Sequence, residues 1–196
     1  MSQGSVKRER PVPGAKAVFL LDTSGSMKGQ EEKMVDATNT LITSLVKDVP
    51  DLSYDIYTFA DYRYPVLQRR PDEEVKLITL DDYDCDGFTT LYDTLAKTIQ
   101  EEENCTIVLA TDGEDTDSHR FKLHDVQDMV HDAEEKKGIT FKFIAEGLGA
   151  QETLRSISQR QEDVICTDAG LASVLVDPTF IQSCSQTFVT QNSIEF

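Results

Sequence analysis

An α/β fold on a doubly wound, mostly parallel sheet is what this sequence predicts, and three observations carry the prediction. Short apolar runs alternate along the chain with longer amphipathic stretches, the pattern of strands joined by crossover helices. Two of the runs, residues 18–21 and 106–110, are apolar almost throughout, as parallel strands covered on both faces must be. The chain has 196 residues and is 39% hydrophobic, enough for one sizeable core.

The elements follow in order. Residues 18–21 form the first strand, in the middle of the sheet. A helix over 31–49 comes next, with Met34, Ala37, Leu41, Leu45 and Val49 at helical spacing and Pro50 ending it. Residues 54–59 read as a second strand and 64–67 as a third, antiparallel at the edge. Residues 75–80 fit either a short helix or an extended segment. An acidic loop over 81–87 leads to a helix over 91–103 and then to the strand at 106–110. A long helix over 121–137 has Gly138 as its stop. A strand over 140–145, a helix over 151–161, a short strand over 164–166 and helices over 171–176 and 178–189 complete the series, with 192–196 fraying. This succession fits a Rossmann-like sheet in the order 3-2-1-4-5-6, with one antiparallel edge strand and helices on both faces. The expected organisation is a flexible lead over 1–14, one domain over 15–190 and a tail over 191–196.

A formal charge of −17 disfavours nucleic acid, whose phosphates need a basic face, and disfavours an anionic membrane surface. It favours cations, solubility and basic partners, and it also suits a merely well-solvated surface. No stretch approaches the roughly 20 apolar residues of a membrane span, and the first residues lack the apolar centre of an export signal. Lys7, Arg8 and Arg10 in that lead also allow a basic docking tail. Cys85, Cys105, Cys166 and Cys184 are scattered without metal-type spacing. Reduced thiols and an intracellular setting are therefore expected.

The chemistry concentrates in three loops. Asp22-Thr23-Ser24-Gly25-Ser26 ends the first strand and places one carboxylate and two hydroxyls on a tight turn. Asp112 ends the fourth strand, and Thr89 precedes the helix before it. In the predicted order the first and fourth strands are neighbours at the switch point, where α/β sheets bind ligands. Oxygen donors of this kind suit a hard cation such as Mg²⁺. Each piece alone also reads as ordinary local structure: Asp22 and Thr89 as helix caps, Ser24-Gly25-Ser26 and Asp112-Gly113 as turns.

Taken together, Asp22, Ser24 and Ser26, then Thr89, then Asp112 resemble the von Willebrand factor A (vWA) domain and its metal-ion-dependent adhesion site. The flanks Phe19-Leu20-Leu21-Asp22, Thr90-Leu91-Tyr92-Asp93 and Leu109-Ala110-Thr111-Asp112-Gly113-Glu114 match as well. The resemblance covers about residues 15–188. It implies Mg²⁺ as cofactor, with Mn²⁺ or Ca²⁺ as alternatives. Ser24 and Ser26 would be neutral ligands, Thr89 would bind directly or through water, and the two aspartates would act through water or hydrogen bonds. Such a shell leaves an open position for the Asp or Glu carboxylate of a protein partner. It implies a binding module and not an enzyme. Gly29 and Gln30 stand where integrin-type domains carry an acidic pair, so the adjacent metal site of those domains is not expected in that form.

Two other readings remain open. Asp82, Asp84, Asp86 and Gly87, followed by Asp93, scan as an EF-hand-like calcium loop over 82–93, or as an accessory cation site beside the main one. Thr89 falls where such loops place an apolar residue, and Asp93 is shorter than the usual Glu. An aspartate ending the first strand also suggests a Mg²⁺-dependent phosphotransfer enzyme. Ser24 occupies the position where the haloacid dehalogenase type needs its second aspartate. His119, His124 and His131 lack a zinc motif and read as surface residues, and 25–29 lacks the spacing of a phosphate-binding loop.

Overall fold

Six strands form one sheet in the computed structural model, which describes residues 14–192. β1 (Lys16–Asp22), β2 (Ser53–Phe59), β3 (Arg63–Arg69), β4 (Thr106–Thr111), β5 (Thr140–Glu146) and β6 (Val164–Thr167) stand in the order β3-β2-β1-β4-β5-β6. Every pairing is parallel except β2 with β3. This is the predicted doubly wound order with its antiparallel edge. Pro65 lies in β3, an edge strand whose outer side has no ladder to serve.

Helices α1 (Glu31–Asp48), α2 (Leu91–Glu101), α3 (Leu123–Lys136), α4 (Leu148–Ile157), α5 (Leu171–Leu175) and α6 (Pro178–Asn192) divide between the two faces. Successive side chains of a strand point to opposite faces, and both faces of the inner strands are covered. Ala17, Phe19 and Leu21 of β1 join Val108 and Ala110 in one apolar layer, with α1, α5 and α6. Val18 and Leu20 join Ile107 and Leu109 in the other, with α2, α3 and α4. This two-sided burial explains why both strands are nearly devoid of polar residues.

Three elements differ from the sequence reading. Residues 75–79 are neither helix nor ladder, and Leu80 opens a one-turn 3-10 helix. Side chains satisfy their backbone instead: Asn39 exchanges two hydrogen bonds with Ile78, and the Tyr54 hydroxyl bridges the amide and carbonyl of Lys76. Helix α4 starts earlier than expected, because the Gln151 amide already bonds the Gly147 carbonyl at the end of β5. It also stops earlier, at extended Ser158, whose hydroxyl bonds the Arg160 carbonyl. Helix α3 begins at Leu123, because the amides of residues 119–121 are held by Asp93 instead of by a helical turn. Gly138 does end α3: its φ of +63° is the left-handed value that spares glycine a Cβ clash. The lead predicted for 1–14 and the tail for 191–196 lie outside the described residues, except for Gly14 and the end of α6.

Leu109 is fully buried between β4 and its helical cover. Leu109→Ala is expected to cost about 3 kcal/mol, read as a lower urea midpoint at unchanged slope.

Candidate functional site

The site grows from the carboxyl ends of β1 and β4. The last residues that β1 and β4 pair with each other are Leu21 and Ala110, so Asp22 and Thr111 end their strands side by side, paired to β2 and β5 on the outer sides. Thr111 donates its hydroxyl proton to one Asp22 oxygen, and the Ser24 amide donates to the other at 2.7 Å. The Asp22 side chain is wholly buried. Burial pushes its pKa up, the two donors act against that rise, and the nearby negative charge of Asp112 adds to it.

The hydroxyls form a chain outward from there. Ser24 Oγ lies 3.1 Å from Ser26 Oγ, and Ser26 Oγ donates to Asp112 Oδ1 at 2.7 Å. Asp22, Ser24, Ser26 and Asp112 are thus one connected set running from the buried strand end to the exposed Ser26 and half-buried Asp112. Thr89 reaches the same place by another route. Its amide and carbonyl are tied to Thr116 and Asp117, beyond Asp112. Gly113 permits this approach, because a Cβ there would stand 3.3 Å from Thr89 Oγ1. That hydroxyl has no hydrogen-bond partner among the described residues. The first and third loops are joined directly, Gly25 amide to Gly87 carbonyl at 3.0 Å and Asp86 amide to Thr23 carbonyl at 2.9 Å. The five sequence-predicted residues therefore lie around one crest.

The four accessory carboxylates do not act together. Asp82 turns back to the amide and hydroxyl of Thr79. Asp86 pairs with Lys28 at 2.9 Å. Asp93 faces the turn before α3, accepting the amides of His119, Arg120 and Phe121. Asp84 makes no hydrogen bond or ion pair among the described residues. A one-turn 3-10 helix, Leu80–Asp82, precedes the loop where an EF-hand has a full helix. Among the described residues no three His, Cys, Asp or Glu side chains converge as metal ligands. In this structure the carboxylate at position twelve of the calcium-loop reading, Asp93, is engaged elsewhere. His119, His124 and His131 are exposed beside Asp117, Asp125 and Glu135, as expected for surface residues. Asp115 accepts hydrogen bonds from the Tyr92 amide, at the start of α2, and from the Ser118 hydroxyl.

Two site residues escaped the sequence reading. Thr111 holds the inner oxygen of Asp22, and the buried Tyr83 donates its hydroxyl to the Asp22 carbonyl. A signal for Tyr83 was present in Asp82-Tyr83-Asp84-Cys85-Asp86. Its alternation of acid with Tyr or Cys is the two-residue period of an extended segment with one face inward, and Tyr83 and Cys85 are indeed buried. Cys85 supplies no nucleophile, since burial pushes its thiol up to about 12. The same holds for Cys105 and Cys184.

A family profile described as "VWA domain containing CoxE-like protein" matches residues 2–140, a span that includes all five site residues. No curated protein matches the chain significantly by sequence. Several solved structures are similar. VWA2, the ArnB paralog from Sulfolobus acidocaldarius, has 18% identity and a TM-score of 0.56, over 83% of this chain and 44% of that one. Proximal thread matrix protein 1 from the mussel byssus has 15% identity and a TM-score of 0.65, over 89% and 48%. A von Willebrand factor type A protein from Catenulispora acidiphila has 15% identity and a TM-score of 0.64, over 89% and 43%. The chain spans less than half the length of these three, and identities at this level establish the fold alone.

At about pH 8 the buried thiols hold a negligible thiolate fraction, so a thiol reagent is expected to label only the partly exposed Cys166 in the folded protein. Mass mapping checks this, and urea should release the other three. Tyr83→Phe leaves the Asp22 carbonyl without its buried donor and is expected to cost about 1–2 kcal/mol, read by denaturant unfolding.

Proposed function

Because the chain belongs to the family of VWA domain containing CoxE-like proteins, we propose that it is a non-catalytic binding module. In this reading Asp22, Ser24, Ser26, Thr89 and Asp112 hold a divalent cation, Mg²⁺ by the chemistry of the donors, and a carboxylate of a protein partner completes the site. One observation carries the proposal. Two carboxylates, Asp22 and Asp112, are joined through the Ser24 amide and the Ser24 and Ser26 hydroxyls, and no cationic side chain pairs with either among the described residues. Burying negative charge without compensation is costly, and a cation at the crest compensates it.

The donor set fits that ion. All five side chains offer oxygen, as Mg²⁺ requires. Thr89 Oγ1 is unpartnered among the described residues, and the Ser24 and Ser26 hydroxyls can turn their lone pairs outward when their present hydrogen bonds open. Asp22, fixed by Thr111 and the Ser24 amide, orients the Ser24 turn from beneath. Asp112 and Ser26 stand nearest solvent, where an approaching group arrives first. A bound Mg²⁺ supplies a Lewis-acidic position for a carboxylate oxygen.

The surroundings support binding over catalysis. The nearby thiol of Cys85 is held protonated, and the three histidines are engaged with acids of the helix α3 region. Among the described residues no helix is long and apolar enough to cross a membrane.

Calorimetric titration of the protein with MgCl₂ or MnCl₂ is expected to show one site. Ser24→Ala and Asp112→Ala should each weaken it by about tenfold or more, a loss of at least ~1.4 kcal/mol, with an unchanged circular dichroism spectrum. Equal affinity in both variants overturns the metal assignment. With Mn²⁺ bound, added acetate should displace metal-bound water and lower the water-proton relaxation enhancement. An unaltered enhancement overturns the carboxylate part.

A further inference from the structure

Beside the crest, on the β2–β3 side, lies a second concavity that the metal-binding reading does not use. It has a volume of about 370 Å³, and Asp61, Asp81, Asp82, Asp84, Asp86 and Tyr64 line it. Lys28 is the one cation paired with any of these carboxylates among the described residues. Asp82 and Asp61 accept hydrogen bonds from Thr79 and from the Phe88 amide. Asp81 and Asp84 have neither hydrogen bond nor ion pair among the described residues.

Two further observations point to a ligand. Thr58 lines the cleft and is only 6% exposed, yet its hydroxyl has no partner among the described residues. The oxygen is not sealed in the interior, so it opens into the cleft and is available to a donor there. In addition, large aromatic side chains stand in solvent at the rim. Tyr62 is 70% exposed and Tyr64 52%, packed edge to face at 6.3 Å, and Phe88 is 63% exposed next to Gly87. Aromatic faces beside carboxylates match a guanidinium, which stacks on rings while its fork of donors meets oxygens.

The chemistry excludes other occupants. Five carboxylates repel nucleic acid and acidic peptides. They are dispersed along the wall, and no three acids converge as a compact ion requires. An extended organic cation spans such spacing. The protein's charge of −17 draws basic segments toward it. The cleft also touches the crest through the Asp86 amide and the Thr23 carbonyl, so one partner surface can cover both.

We propose that this cleft docks an arginine-bearing segment of a protein partner, with Asp81 and Asp84 receiving the guanidinium, Tyr64 stacking on it and Thr58 accepting a donor at the floor. The acidic residues and aromatics of the cleft are distinct from the five metal-site residues, so the proposal stands whether or not a cation binds there.

The test is fluorescence anisotropy of the full chain with a labelled Gly-Arg-Gly-Arg-Gly peptide at low salt. The Asp81→Asn/Asp84→Asn double variant should weaken binding by about tenfold. Asp132→Asn/Glu135→Gln on α3 removes the same charge elsewhere and should change it by less than about twofold. Tyr64→Ala and Thr58→Val should weaken it at unchanged charge, and a lysine version of the peptide should bind less tightly. Ser24→Ala should leave it intact, which separates this proposal from the metal reading. Equal weakening by the two double variants overturns the proposal in favour of whole-surface attraction. Spermine competing as strongly as the peptide overturns it in favour of a small polyamine. Displacement by stoichiometric Ca²⁺ overturns it in favour of a cation site.

Discussion

Everything at the functional end of this molecule depends on one buried carboxylate at the mouth of the sheet. Asp22 sits where β1 leaves the core, and a charge there is tolerable only if both oxygens have donors. One donor comes from β4, through Thr111, and the other from the turn itself, through the Ser24 amide. These requirements reach far. β1 and β4 must be neighbours and end at the same level, which the parallel register provides. The chain must turn at once after Asp22, which sets Ser24 and Ser26 above it. Tyr83 then packs under the acidic loop and holds the Asp22 carbonyl.

The remaining parts of the crest are fastened to that anchor by backbone. Thr23 bonds the end of β2 and receives the loop that carries Asp86, while Gly25 reaches the carbonyl of Gly87. Thr89 is fixed by the segment that follows Asp112. Three stretches distant in sequence thus converge with few side-chain contacts among them. Asp22, Ser24 and Thr89 stay buried there, while Ser26 is exposed and Asp112 half-buried. Lys28, bonded to Asp86, is the cation that bridges the Ser24–Ser26 turn and the acidic cleft, which makes the two surfaces electrostatic neighbours as well as spatial ones.

Much of the fold was legible because burial on both faces leaves a plain trace. The runs around Leu20 and Leu109 admit little besides interior strands, and their spacing with amphipathic stretches dictates the crossover order. The site was legible for a different reason: its oxygen donors stand at strand ends, where an α/β sheet collects ligands. What escaped was set by tertiary hydrogen bonding. The segment around Lys76 and Ile78 has no local periodicity to betray it, because Tyr54 and Asn39 satisfy its backbone from other elements. Asp93 looked like the last ligand of a calcium loop. From spacing alone nothing shows that its oxygens are already committed to three amides across the chain. Thr111 was hidden by adjacency to the more conspicuous Asp112.

The topology also determines how the crest bears load. Its turn and its Asp112 loop spring from β1 and β4, each of which has hydrogen-bonded neighbours on both sides, whereas the β2–β3 hairpin stands at the margin. A tug on anything held at the crest enters through the two best-braced strands and spreads sideways through their three ladders. The segments it pulls on lead into α1 on one face and into α2 and α3 on the other. Tension is therefore shared between the two layers and does not peel one away. The two edge strands, β3 and β6, each have a single hydrogen-bonded neighbour and stand furthest from that line of force.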